Sequence, residues 1–568
     1  MRVATSALLL VASLAASALQ AATPPATSAA AAAPVSLAPQ INAADFAAFD
    51  KTLSSDAFGG RKPGTLGEQR TTAWLVAQFK RMGLQPGNHG SWFQTVPADA
   101  VTLLNPDVQL RITAHGKDTR FAYRTDMMVQ TLQAKPLVDL KHSPVVFLGY
   151  GVDAPNWHWN DYRGVDVKGK TVIVLVNDPG FASGDPKLFE GRTMTYYGRW
   201  TYKYAEAALQ GAAACFIVHT SDAAAGYPFS VLQNSGSGPQ LSLPSSVDPS
   251  PRLPVAGWLT HDAATRLFAA AGFNFDQLAA AAGKPGFKPV PLDATASVTL
   301  HDKIAHIESH NVLAMVKGSV KPDEAVVFTA HWDHLGTDPT LKGHKVYSGA
   351  IDNGTGLTML LELADAFAHQ KTPPQRSVLF FMPTLEESGL LGSQYYAAKP
   401  VFALDKTVAD IAVDALPIIG RARDMTVIGK GQSQLEDMLA DVLKTQGRVI
   451  SPETTPENGF YFRSDHFNFA KAGVPAMLAS SGLDLLDGGK AAGEKAAKDY
   501  TAHRYHTPND VFNPDWDYSG ILEDTQALYE LGRKLSHTGV WPQWYADSPF
   551  RAAREKMMAP AAAAKPAG

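Results

Sequence analysis

Five short stretches of this 568-residue chain combine imidazole and carboxylate side chains in a pattern that suits metal-assisted hydrolysis. The first, His331-Trp332-Asp333-His334, follows the apolar run Ala325 to Ala330. A histidine at a strand end is a good zinc ligand, and an acid two residues on could hold its second ring nitrogen and fix the tautomer. In the second, Ser348 to Gly356, Asp352 sits in a glycine-rich loop ahead of a helical run, where a carboxylate can equally be a helix cap. The third, Glu386-Glu387, follows the run Ser377 to Met382 and can also be read as a solvated acidic pair. In the fourth, Asp414 ends the apolar run from Val408, and in the fifth, His503-Arg504-Tyr505-His506 places histidines in a polar loop before the last helix. Each stretch alone has an ordinary structural use. Together, with three of them at strand ends of one segment, they make a site. Imidazole and carboxylate without thiolate suit a hydrolytic zinc centre better than a structural one. Five ligands with one bridging carboxylate would serve two metals, which sit about 3.5–4 Å apart in two-metal hydrolases.

Positioning these groups requires strands and helices in alternation. Val312 to Val316, Ala325 to Ala330 and Ser377 to Met382 are short apolar runs, and a helical run from Gly356 to His369 lies between the last two. That order implies an α/β fold with a doubly wound, mostly parallel sheet, in which ligands bind beyond the carboxyl ends of the strands. Upstream, Ala73-Trp74-Leu75 with Phe79 and Met82 gives an amphipathic helix closing at Gly83, preceded by a loop at Phe58 to Gly64. Between Asn105 and Leu300 the runs Val145 to Leu148, Thr171 to Val176 and Cys215 to Val218, with a helical stretch from Tyr204 to Gln210, predict a separate small α/β or β-rich domain without a ligand-like cluster.

Composition narrows the possible partners. Hydrophobic residues at 45% and charged residues at 18% describe a globular chain, and a net charge of −4 gives no strong field toward nucleic acid or anionic lipid. Cys215, the single cysteine, can form no intramolecular disulfide. Met1-Arg2, the small and apolar stretch Ala4 to Ala18 and the sequence Ala16-Ser17-Ala18 read as a secretory signal peptide, so a periplasmic or extracellular protein without a membrane anchor is expected after its removal.

The segments His331-Trp332-Asp333, Asp352-Asn353, Glu386-Glu387-Ser388-Gly389, Asp414 and Tyr505-His506-Thr507-Pro508 resemble the zinc exopeptidase family of bacterial secreted aminopeptidases, glutamate carboxypeptidase and the transferrin receptor. The likeness runs from Asn311 to about Gly532 and includes Arg61-Lys62-Pro63-Gly64; the intervening segment resembles the protease-associated domain that many members insert. The resemblance implies a signal peptide at 1–21, an Ala/Pro-rich linker at 22–40, a peptidase domain in two parts at 41–104 and 301–545 around an insert at 105–300, and a tail at 546–568. It implies two zinc ions: His331 and Asp414 on one, Glu387 and His506 on the other, Asp352 bridging, Glu386 as general base and Asp333 orienting His331. It also implies a cis Asp352-Asn353 peptide, and a substrate-facing loop that includes Arg463 and Asp465. Where many members carry Met-Ile/Val-Gly after the ligand, this chain has Ala415-Leu416-Pro417.

His334, His344, His466 and His503 read as polar surface residues, with Pro508 favouring His506 over His503 as ligand. Peptides are the implied substrates and an aminopeptidase the implied activity. A carboxypeptidase or dipeptidase is the alternative, with Arg463 as its motif-borne cation, and intact ligands and base argue against a non-catalytic receptor-like module.

Overall fold

The structure is a computed structural model and describes residues 34–236 and 238–559. The signal-peptide segment, most of the linker and the end of the tail lie outside the described residues. Among those described, no helix is long and apolar enough to cross a membrane.

The chain opens with helix α1 (Ala43–Leu53), capped by the Asn42 side chain, which accepts from the Asp45 N–H. It buries Phe46, Phe49 and Leu53. Helix α2 (Leu66–Arg81) starts earlier than its apolar period suggested, because Thr65 caps it by accepting from the Gly67 N–H; it ends ahead of Gly83, which has a φ of +84°. Strand β1 (Phe93–Leu103) follows.

Of the two readings of the segment 105–300, α/β or β-rich, the structure shows an α/β layer. Strands β2 (Leu137–Phe147), β3 (Thr171–Leu175), β4 (Ala214–His219) and β5 (Val255–Thr260) pair in that order, all parallel, and helix α3 (Trp200–Leu209) lies between β3 and β4 in the chain. β3 and β4 are buried throughout, which is why they read as unbroken apolar runs. Cys215 is buried on β4.

A 27-residue strand, β6 (Val290–Val316), belongs to both layers. Its first part pairs with β2, and from Asp302 to Val312 it pairs with β1 instead. Beyond it come β7 (Lys321–Thr329), helix α4 (Gly356–Ala368), β8 (Arg376–Met382), β9 (Thr407–Val413), β10 (Asp424–Ile428) and β11 (Ala476–Ser481). The order in space is β6-β8-β7-β9-β11-β10, with the central β8-β7-β9-β11 parallel and the outer pairings antiparallel. This is the expected doubly wound, mostly parallel sheet. The chain leaves β7 to form β8 on one side and β9 on the other, so the switch point lies at the carboxyl end of β7.

Helix α4 packs on this sheet through Phe367, whose ring lies 4.9 Å from that of Tyr529 on the helix Ser519–His537. Phe328 of β7 stacks on Phe380 of β8 at 5.8 Å. Each such fully buried ring contributes about 1.5–3 kcal/mol through burial.

Two terminal expectations change. The described end of the linker packs down: the Val35 and Ala38 N–H groups donate to Glu523 and Gln526, and Leu37 lies against the core. Within the segment read as a tail, helix Arg551–Met558 forms, with Arg554 buried and donating to the Leu404 and Thr407 carbonyls. The apolar anchor is Phe550, which packs against Trp544 at 5.2 Å.

Candidate active site

Three strand ends deliver the first groups. His331 lies just beyond β7, Glu386 and Glu387 follow β8, and Asp414 directly follows β9. Asp352 comes from the loop ahead of α4, and its peptide bond to Asn353 is cis. His506 follows the helix Gly489–His503; His503, expected in the polar loop, is the last residue of that helix and contacts Asp499 rather than the site.

Long-range hydrogen bonds hold the loop in place. Asp510 accepts from the Asp352 N–H (3.0 Å) and from the Ile351 N–H (3.1 Å). The Asn353 side chain donates to the Val413 carbonyl and accepts from the Ala415 N–H, tying Asp352 to the chain around Asp414. Arg61 is fully buried, and its guanidinium donates to the carbonyls of Leu53, Trp332, Ser348, Gly349 and Asp352 at 2.7–3.2 Å. Trp332, also fully buried, donates from its indole to the His310 carbonyl. Leu385, Ala415 and His506 adopt left-handed backbone at φ +57°, +48° and +55°. Such conformations cost non-glycine residues about 1–3 kcal/mol each and persist where surroundings impose them.

The resulting geometry centres on Asp352. Its Oδ1 lies 3.3 Å from His331 Nε2, and its Oδ2 lies 3.1 Å from His506 Nε2. His331 Nε2 is also 3.1 Å from Asp414 Oδ1, and His506 Nε2 is 3.1 Å from Glu387 Oε2. Glu386 Oε2 stands 3.8 Å from His331 Nε2.

His331 Nδ1 contacts the Asp333 backbone carbonyl at 3.1 Å, whereas the carboxylate is 3.9 Å away. A carbonyl only accepts, so Nδ1 carries a proton, and Nε2 is the ring nitrogen that faces the carboxylates of the cluster. Asp333 thus meets His331 through its backbone carbonyl, and its carboxylate accepts from the Glu386 N–H at 3.1 Å.

Electrostatics follow from crowding. Burial pushes Glu386 well above the ordinary carboxylate range, against the pull of His331, and Asp414 and Glu387 add to the rise. Burial likewise lifts Asp333 to about 8. It acts to raise Glu387 too, yet His506 and His334 hold that group down at about 2. Burial acts to lower His331 and His506, but the surrounding carboxylates keep both imidazoles well above their usual value. Buried acids facing imidazole nitrogens in this way could hold divalent cations. Donor atoms of His331, Asp352 and Asp414 lie within 4.8 Å of one another, as do those of His334, Asp352 and Glu387. Nitrogen and oxygen donors of this kind fit zinc.

Two histidines read as surface residues are buried. His334 lies beside the site, its Nδ1 2.6 Å from Glu387 Oε1, and its ring meets that of His506 edge-on at 5.8 Å. His466 is enclosed away from the ligand cluster, 4.7 Å from the ring of Tyr461. His344 contacts Asp56 and the Pro508 carbonyl. Asp465 is buried within electrostatic reach of His331, Asp414 and Glu387; burial raises its carboxyl to about 7. Arg463 lies over the rings of Phe460 and Tyr227.

Sequence reasoning assigned no role to Arg61 as a brace or to Asp510, although Arg61 stands inside a quoted motif and Asp510 two residues past another. Their function is hydrogen bonding to backbone, which leaves no pattern in residue type. Arg61→Gln is expected to lower the unfolding free energy by about 3 kcal/mol or more, because it strands several buried carbonyls. Urea unfolding of the two proteins, compared by midpoint, checks this.

Comparison with known proteins covers the same region. The sequence profile of Peptidase family M28 matches residues 311–529. Aminopeptidase NAALADL1 of Mus musculus is 30% identical over 141 residues, 23% of this chain and 17% of that protein. A probable zinc metalloprotease of Pyrenophora teres f. teres is 37% identical over 86 residues, 15% of this chain and 18% of that protein. The chain thus spans under a fifth of the length of these curated relatives. Among solved structures, an aminopeptidase from Aneurinibacillus sp. strain AM-1 aligns over 89% of this chain and 96% of its own, at 19% identity and a TM-score of 0.49. The span 311–529, which matches the profile of Peptidase family M28, contains His331, Asp352, Glu386, Glu387, Asp414 and His506.

Proposed function

We propose that this chain is a secreted two-zinc metallo-exopeptidase that removes N-terminal residues from peptides. The observation that carries this reading is the Asp352 carboxylate, with one oxygen facing His331 and the other facing His506. His331 and Asp414 would hold one ion, Glu387 and His506 the other, and Asp352 both. His334 donates to Glu387 and keeps that carboxylate oriented. The apolar N-terminal segment supports secretion, and the α/β layer at 105–300 is read as the inserted protease-associated domain.

When bound, two zinc ions supply Lewis-acid polarisation of the scissile carbonyl and acidify water. Glu386 accepts the water proton on its carboxylate and returns it to the leaving amine. The hydrogen bond from its N–H to Asp333 fixes the backbone from which it acts. His331, with its proton on Nδ1, keeps Nε2 directed at the cluster. The bracing by Arg61, Asn353 and Asp510 holds the donors in place before substrate arrives, which is what preorganised catalysis requires.

The purified chain is expected to hydrolyse an aminoacyl anilide with a free amine and to leave its N-acetylated form intact. Chelation should abolish turnover, and elemental analysis should find about two zinc per chain. Cleavage of N-blocked peptides from the carboxyl end would replace the aminopeptidase reading with the carboxypeptidase one.

A further inference from the structure

Glu386 and Glu387 are adjacent but are held differently. The Glu387 carboxylate meets His334 Nδ1 at 2.6 Å and His506 Nε2 at 3.1 Å, whereas Glu386 comes no nearer to His331 Nε2 than 3.8 Å. The position of Glu386 therefore depends on its backbone. Its N–H donates to the Asp333 carboxylate, and its carbonyl accepts from the Gly389 and Leu390 N–H groups, both at 2.9 Å. These bonds fold residues 384–392 into a closed loop, whose ends meet where the Gly392 N–H donates to the Thr384 carbonyl at 3.0 Å. The Asn311 side chain locks those ends, accepting from the Thr384 N–H and donating to the Gly392 carbonyl.

The far side of the loop rests on another segment. Leu390 adopts left-handed backbone at φ +63°, a conformation that a leucine keeps where its surroundings impose it. Asn468, 8% exposed, donates from Nδ2 to the Leu390 carbonyl at 3.1 Å and to Ser393 Oγ at 2.9 Å. Because a carbonyl only accepts, the amide nitrogen is the atom that faces it. Asn468 sits on the short helix His466–Lys471, where the rings on either side of it in sequence set its register. Phe469 is fully buried, 5.9 Å from the ring of Phe381 on β8 and 5.4 Å from that of Tyr396. Phe467 packs 6.1 Å from Phe550 and 5.6 Å from Tyr196. The amide that reaches Leu390 is thus fixed by packing on β8, the strand that delivers Glu386.

We propose that Asn468 is a positioning residue for the reaction, holding the loop that carries Glu386 through the Leu390 carbonyl. This rests on the peptidase reading, in which Glu386 is the base. It adds a residue that touches neither metal ligand nor substrate and acts through the backbone bonds closing on the Glu386 carbonyl.

The test compares the full chain with Asn468→Asp, nearly equal in volume but without the donors, on leucine p-nitroanilide. The variant is expected to retain about two zinc per chain, because Glu387 keeps its own histidine contacts, and a KM within about twofold of the wild type. Its kcat should fall by about tenfold or more, the effect of one lost hydrogen bond on a group whose placement the reaction requires. Asn468→Ala, which leaves space rather than charge, should give the same pattern and stands in where the charged variant fails to fold. Asn468→Gln keeps a donating amide and should recover part of kcat; in a folded protein, no recovery counts against the proposal. Unchanged kcat overturns it, and so does loss of zinc together with kcat, which would make the helix a support of the ligand set. Amide hydrogen exchange at Gly389 and Leu390 reads the loop without hydrolysis and should quicken about tenfold in Asn468→Asp. If the wild-type chain cleaves no substrate yet exchange quickens in the variant, the peptidase reading fails and the brace survives. If substrate is cleaved and neither kcat nor exchange changes, the brace fails and the peptidase reading survives.

Discussion

Glu386→Gln is expected to retain its zinc and lose turnover by about 10²–10⁴-fold, the range that general base catalysis supplies. The substitution keeps the shape of the side chain and the backbone contact to Asp333, so only the proton acceptor goes. The side chain lies 3.8 Å from His331 at its nearest oxygen, farther than Asp352 or Asp414, as befits a base beside the ligands rather than among them. Zinc content and steady-state rates on one preparation decide the matter. Wild-type turnover with full zinc would place the base elsewhere. Loss of zinc would make Glu386 a ligand and exchange its role with Glu387.

The second large effect belongs to Asp352. Asp352→Ala is expected to empty both metal positions and abolish measurable turnover, whereas His331→Ala should cost about one of the two zinc ions. The asymmetry follows from geometry. Removing His331 leaves the His506–Glu387 contact intact, but removing Asp352 takes a donor from both histidines at once. Because ligand binding to the folded state adds to stability, Asp352→Ala should also abolish the difference in melting temperature between metal-loaded and chelated protein. A variant that keeps one full zinc equivalent would show that the carboxylate serves a single ion.

The chemistry-bearing residues were legible because a doubly wound sheet places its ligand groups at strand ends, and strands buried on both faces read as apolar runs in the chain. His331, Glu386, Glu387 and Asp414 each follow such a run, so their types and positions sufficed to select them. Asp352 and His506 lie on loops and were identified through resemblance, since a loop acid or histidine has no periodic context. His334 was misjudged for the same reason: a polar residue beside a ligand looks solvent-facing until the facing loop, with Gly349 and Arg61, closes over it. That Asp333 meets His331 through its backbone carbonyl, with its carboxylate on the Glu386 N–H, is not visible in the spacing, which does not reveal which way the chain turns.

What the sequence alone determined about this protein is therefore local: apolar runs and their alternation with helices, the ligand types behind the strands, and a nearly balanced charge. What only the tertiary structure decided is every pairing between distant segments. Arg61 reaching the loops around Trp332 and Asp352 and Asp510 holding the Asp352 N–H belong to this class. Periodicity records which face of an element is buried, because burial repeats with the geometry of that element. A guanidinium or carboxylate that bonds to a remote backbone occurs once, has no period, and takes its meaning from the chain folded against it.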